Sequence, residues 1–178
     1  RINDLNNQAW EIHITEPKLG LELSINAKEL SEEYDYKKGL AYAIRNMGVS
    51  HRCLSNLEKA LSLSLQALDM FEQIGDKSGK AQAIVSIGAI YYYMGDYERP
   101  LDCFLKGIQY STEAGNKEAL AYAYNGAGFN YGVVLGNHEK GLELLQKALI
   151  LSKEIEISRD LQPRVLDCIA EIYLNAGQ

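Results

Sequence analysis

The chain has 178 residues, 47% of them hydrophobic and 24% charged, enough to bury a sizeable core as one compact unit or one repeat array. A formal net charge of -6 argues against a nucleic-acid partner, whose phosphates require clustered Lys and Arg. Cys53, Cys103 and Cys168 are too few and too far apart for a disulfide framework or a CxxC metal site, no apolar run approaches the ~18 residues of a membrane span, and Arg1 to Trp10 lacks signal-peptide character, so a cytoplasmic protein with no membrane partner is expected.

Leu, Ala, Glu, Lys and Gln recur and only three prolines interrupt them, which predicts an all-α protein because those side chains lose little freedom in a helix. The stretch LNNQAWEIHI reads as a first helix, broken at Thr15-Glu16-Pro17 and followed by LGLELSINAKELSEEY with Gly20, Ala27 and Leu30 on one face. Next comes a frame that recurs. Ile44, Met47, Gly48 and His51 precede SNLEKALSLSLQAL; Ile84, Ile87, Gly88 and Tyr91 precede GDYERPLDCFLKGI; Tyr124, Ala127, Gly128 and Tyr131 precede GNHEKGLELLQKAL. Leu166, Ile169, Ala170 and Tyr173 close the chain as a fourth copy. Gly48, Gly88 and Gly128 stand 40 residues apart.

In the second helix of each unit, Ala60, Pro100 and Gly141 share a column, as do Ala67, Gly107 and Ala148. Seven-residue steps put these small residues on one face, where they let two helices approach. Asn56, Asp96 and Asn137 are placed to cap the second helices, and Asp76 and Asn116, each after a glycine, to cap the next first helices. Tyr91, Tyr131, Tyr173 and His51 fall in one column expected to lie in the core, where Tyr91→Ala would cost about 3–5 kcal/mol.

This large-xx-apolar-small-xx-aromatic frame resembles that of tetratricopeptide-repeat proteins over essentially the whole chain. Its forty-residue period is similar to the longer repeats of kinesin light chains, of Leu-Gly-Asn-repeat proteins and of sensory regions in bacterial signalling proteins, and LNNQAWEIHI before a proline-led helix is most similar to the last group. The resemblance implies a right-handed superhelical solenoid of antiparallel helix pairs. Its units would be 1–39, 40–79, 80–119 and 120–160, with a partial one at 161–178, in a single array taken from a longer protein.

Each first helix has a second face, reached by steps of three, four and three: Tyr42, Arg45, Val49, Arg52; Gln82, Val85, Ala89, Tyr92; Tyr122, Asn125, Phe129, Gly132. In proteins of the resembling family the equivalent face lines a concave groove that holds a peptide or a partner's helix. The partner-binding residues expected here are Tyr42, Arg45, Arg52, Gln82, Tyr92, Tyr93, Tyr122, Asn125, Phe129 and Asn130, a set rich in the Tyr and Arg that anchor interfaces. These stripes hold no lysine, which argues against the lysine-and-asparagine carboxylate grip of some family members; Arg45 and Arg52 would instead meet an acidic segment.

Catalysis finds no support. His13, His51 and His138 are dispersed, Glu32/Glu33 and Glu154/Glu156 read as solvated helix ends, and NGAGFNYG lacks the strand and lysine of a phosphate loop. No cofactor or metal is expected. The function expected is a protein- or peptide-binding scaffold, the regulatory or sensory region of a signalling protein. The alternative is self-association of a larger signalling enzyme, a homo-oligomer joined through an unpaired last helix.

Overall fold

A computed structural model describes residues 1–155 and 161–177. Among the described residues the chain is all-α, with α1 (Ile2–Ile12), α2 (Pro17–Glu33), α3 (Lys37–Cys53), α4 (Leu57–Ile74), α5 (Lys77–Tyr93), α6 (Arg99–Ala114), α7 (Lys117–Phe129), α8 (His138–Glu154) and α9 (Leu161–Asn175). Four helical hairpins, α1–α2 through α7–α8, stack in order, and α9 packs against α7 and α8. Glu156 and the expected unit boundary at residue 160 lie outside the described residues, as does Gln178. No described helix is long and apolar enough to cross a membrane.

The glycine column sits where the two helices of a hairpin cross. A methyl on Gly48 would lie 2.8 Å from Ser64 Oγ, on Gly88 3.0 Å from Cys103 Cβ and Phe104 Cε1, and on Gly128 2.8 Å from Leu145 Cγ. The core around these crossings is built from fully buried alanines such as Ala41, Ala83, Ala121 and Ala123, filled by Phe71, Phe104 and Leu145. Gly75 and Gly115 end α4 and α6 in the left-handed conformation, with φ of 70° and 65°, which a residue without Cβ adopts freely. Asp76 and Asn116 then cap α5 and α7, accepting from the amides of Gly79 and Ala119 at 2.9 Å in each case. Asn137 caps α8 through Lys140, and Asp96 accepts from the amides of Glu98 and Arg99. Asn56 departs from expectation: its carboxamide makes no capping bond and turns toward His51 Nδ1 at 3.5 Å.

The aromatic column also departs. His51 is buried, but Tyr91 and Tyr131 are only half-buried and Tyr173 is exposed. The rings reach the ends of the hairpins, where cations roof them: the Arg99 guanidinium lies 4.0 Å from the Tyr91 centroid and Lys140 Nζ 5.8 Å from that of Tyr131. The large aromatic volume at the centre comes instead from second-helix Phe71 and Phe104.

One irregularity shapes the inner surface. Gly128 and Gly141 are thirteen residues apart where Gly48–Ala60 and Gly88–Pro100 are twelve. The extra residue is absorbed as a π-helix over Asn130–Val134, with Leu135 N donating to Asn130 O at 2.9 Å and Asn137 N to Tyr131 O at 2.8 Å.

First helices of successive hairpins touch one another, α1 with α3, α3 with α5, α5 with α7 and α7 with α9, whereas second helices make no comparable contact with the next second helix. The first helices therefore line the inner, concave side of the stack. On α9, Leu161, Val165 and Ile172 are buried, while Leu166, Tyr173 and Leu174 are exposed and Ile169 is half-buried.

Candidate functional site: two cavities on the inner face

The forty-residue register lays the inner stripes of α3, α5 and α7 side by side, and two cavities open along them. The larger in reach has a volume of about 400 Å³ and brings together Arg52, Gln82, Tyr92, Tyr93, Tyr122, Asn125, Phe129 and Asn130. The second, of about 390 Å³, is lined by Tyr42 and Arg45 together with Gln82. The ten residues expected from sequence thus fall on one face but around two spaces, with Gln82 at the border.

The first cavity is floored by aromatic and small apolar side chains. Tyr92 meets Phe129 edge to face at 5.1 Å between centroids and Tyr93 at 5.5 Å, and both Val85 and Ala89 line the same space. Arg52 lies 5.3 Å over the ring of Tyr93, which is 52% exposed and forms the rim. Burial raises the Tyr92 phenol above its ordinary pKa, so the ring enters any contact as a neutral donor. Asn130 differs from the open donor expected: it is buried and its side-chain amide donates to the Gly126 carbonyl one turn back at 3.0 Å. Asn125 Oδ1, in contrast, is buried without a partner among the described residues.

The second cavity is polar. Its centre is Arg45, only 2% exposed, which donates one terminal nitrogen to Gln82 Oε1. Trp10 lies against the guanidinium, 4.1 Å from ring centroid to Cζ, and Tyr42 at 5.9 Å. Burial pulls the Arg45 pKa down to about 10, against the opposing pull of the Glu118 charge. Tyr42 does double duty. Its ring packs edge to face on Phe71 at 4.9 Å, so part of its role is in the core.

Sequence reading missed the residues that complete the walls. Trp10 stands between the cavities and lines both, its Nε1 donating to Glu118 Oε1 at 2.9 Å and its ring stacked on His13 at 4.4 Å. Asn3, Asn6, Trp10 and His13 follow the same steps of three, four and three as the other stripes, a signal already present in the degenerate first unit. Glu118 sits one turn before Tyr122, in the column of Lys38 and Ser78. Arg164, Asp167 and Cys168 of α9 close the far wall of the first cavity. Arg164 and Asp167 continue the inner stripe in the fourth copy of the frame, and Cys168 lies beside it. Burial pushes the Cys168 thiol up to about 11, which keeps it protonated.

Residues 39–113 match a family model described as tetratricopeptide repeat. No curated protein matches the chain. Among solved structures, a Rap protein complexed with Competence and Sporulation Factor is similar at a TM-score of 0.75 and 16% identity, over 99% of this chain and 55% of that one. A signal-transduction ATPase of the STAND type with a tetratricopeptide-repeat sensor, from Pyrococcus horikoshii, gives 0.69 and 19% over 97% of this chain and 27% of its own. A putative kinesin light chain from Podosopora anserina with nearly identical repeats gives 0.67 and 11% over 100% and 87%. The chain therefore spans about half of that Rap protein's length. At such identities the likeness is one of fold, a solenoid of paired helices.

Proposed function

From a solenoid of paired helices, of which residues 39–113 match the tetratricopeptide-repeat model, we propose a non-catalytic binding module whose inner face grips a peptide segment of a protein partner. The observation that carries this reading is the first cavity. Its volume of about 400 Å³ is that of a site for a few side chains, and its Tyr92–Phe129 floor offers rigid apolar area beside the unpartnered Asn125 acceptor. The Rap protein, similar in fold, was solved in complex with a factor, and the similar STAND protein carries its repeats as a sensor. Both favour reading the chain as a regulatory or sensory region of a signalling protein, for which the proposed setting is the cytoplasm.

The test is selection of a displayed heptapeptide library on the purified chain, with affinities read from the fluorescence of Trp10, the sole tryptophan. Tyr92→Ala combined with Phe129→Ala is expected to weaken the selected peptides roughly thirty-fold or more, as loss of an aromatic anchor worth ~2 kcal/mol does. Unchanged affinity in a variant that keeps its urea midpoint would move binding off this face. A second reading, self-association through α9, is favoured by exposed Leu166, Tyr173 and Leu174. Light scattering that reports a strict monomer across a concentration series would remove it.

A further inference from the structure

Trp10, Gln82 and Glu118 line both cavities and form the wall between them. They come from α1, α5 and α7, and side chains alone make the wall. Trp10 Nε1 donates to Glu118 Oε1 at 2.9 Å, while the ring lies 4.1 Å from the Arg45 guanidinium and meets Tyr122 edge to face at 6.3 Å. The helices that α1 packs against are α2 and α3, so its hold on α7 is that of the indole. Of the α1 side chains only Asn6 and Ala9 are buried, whereas α3 buries ten residues. A helix with so little buried apolar surface belongs to the low-stability end of a structure. Its firm point is Asn6, which donates through its side chain to the Gly39 carbonyl at 3.0 Å and accepts through its own carbonyl from Asn46 at 2.9 Å. Trp10 lies one turn beyond that anchor and is half-buried.

We infer that Trp10 is a gate on the inner face: its indole, held by Glu118, keeps the aromatic and polar cavities apart, and its withdrawal toward solvent, with α1 still anchored at Asn6, joins them into one groove. A fixed strut would bury both partners of its hydrogen bond, so that breaking it left orphaned polar groups. Here the indole and Glu118 are both half-buried, and each regains water when they part, which keeps the cost of opening small. The closed state suits short stretches of chain. The open state admits a segment that runs from the Tyr92–Phe129 floor to Tyr42. A ligand that needs the open state has its apparent affinity lowered by the fraction of molecules already open, so the gate sets the length of segment the face accepts. This rests on the peptide reading for what passes through, but its first test uses no peptide.

The experiment is hydrogen exchange of the Trp10 indole Nε1–H in the full chain, followed by ¹H–¹⁵N NMR beside the backbone amides of α3 and α7. Trp10 is the sole tryptophan, so its indole signal is assigned without ambiguity. Relative to its intrinsic rate, that proton is expected to exchange at least about a hundredfold faster than the amides of buried Ile44 and Ala123, with little dependence on low urea, because opening exposes little surface. The comparison is made within wild type and needs no variant. Glu118→Ala is expected to speed the indole exchange about tenfold or more, the factor a hydrogen bond to a charged group supplies, and Glu118→Gln, which keeps an acceptor at similar reach, to recover most of the protection. In a second arm, displayed libraries of seven and of fifteen residues are selected on wild type. On passing to Glu118→Ala the longer binders are expected to gain at least about fivefold more affinity than the heptapeptides do. The inference is overturned by an indole proton that exchanges no faster than the core amides, by exchange that Glu118→Ala leaves unmoved, or by long and short binders that gain alike. A selection that yields no binders sinks the peptide reading and leaves the gate to be decided by the exchange rates.

Discussion

Gly141→Ala tests whether the irregular turn before α8 sets how closely helices pack. In α4 the same column holds Ala60, fully buried and accommodated against Gly48, so repeat logic alone would make alanine welcome at 141. The structure says otherwise. A Cβ at 141 would lie 2.5 Å from Gly132 Cα, 2.6 Å from Gly132 N and 2.9 Å from Gly128 O, all of them backbone atoms of α7 and the π-helix. Backbone cannot rotate aside as a side chain can, so α8 must retreat by about half an ångström to restore even the shortest normal contact, loosening Leu145 and Ala148 in the fully buried cluster with Leu161 and Ile172. Overpacking of this kind costs about 1–3 kcal/mol, and three backbone clashes place this site at the upper end. Replacing a helical glycine returns about 1 kcal/mol of propensity. The net expectation is a loss of about 2 kcal/mol, read as a lower urea midpoint at unchanged slope. A variant as stable as wild type would refute the reasoning that the extra residue drives α7 and α8 into backbone contact.

Tyr91→Ala is expected to cost about 1 kcal/mol in a urea melt, because the ring is half-buried under Arg99 and gives up mainly an exposed cation–π contact; a loss above 3 kcal/mol would restore it to the core. Asp76→Ala is expected to cost about 1 kcal/mol near neutral pH through loss of the α5 cap. Burial pushes the Asp76 carboxyl up, but the Lys38 ammonium and the Gly79 amide outweigh it and hold its pKa below the ordinary carboxylate value. Because the folded pKa is depressed, this stability is present above the unfolded value and is lost as pH falls through the folded one. Melts across pH 6 to 3 should therefore show the gap between wild type and variant narrowing only toward the acid end, and a gap independent of pH would contradict the cap's ionic part.

The hairpin stack was legible because its determinants are local and repeated. Gly48, Gly88 and Gly128 mark helix crossings, and Asp76 and Asn116 mark helix starts, through contacts made within one or two turns or one hairpin. Burial of the tyrosine column was not legible, since whether Tyr91 is covered depends on how far α6 reaches and on Arg99 folding back over it. The added residue before α8 shows in the spacing, but its form as a π-helix follows from packing against Gly141 and Ile172 rather than from the residues NYGVV themselves. The inner stripes of α3, α5 and α7 were readable by counting. The division of their residues between two cavities was not, because the divider, Trp10, comes from the most degenerate unit.

Stacked-repeat proteins ordinarily behave as open springs in which each coil feels only its neighbours. The Trp10–Glu118 hydrogen bond joins residues 108 positions apart and clasps the first coil to the fourth. The opening between α1 and α7 is thereby bridged by one indole–carboxylate contact, which makes the two coils answer to each other across the inner space.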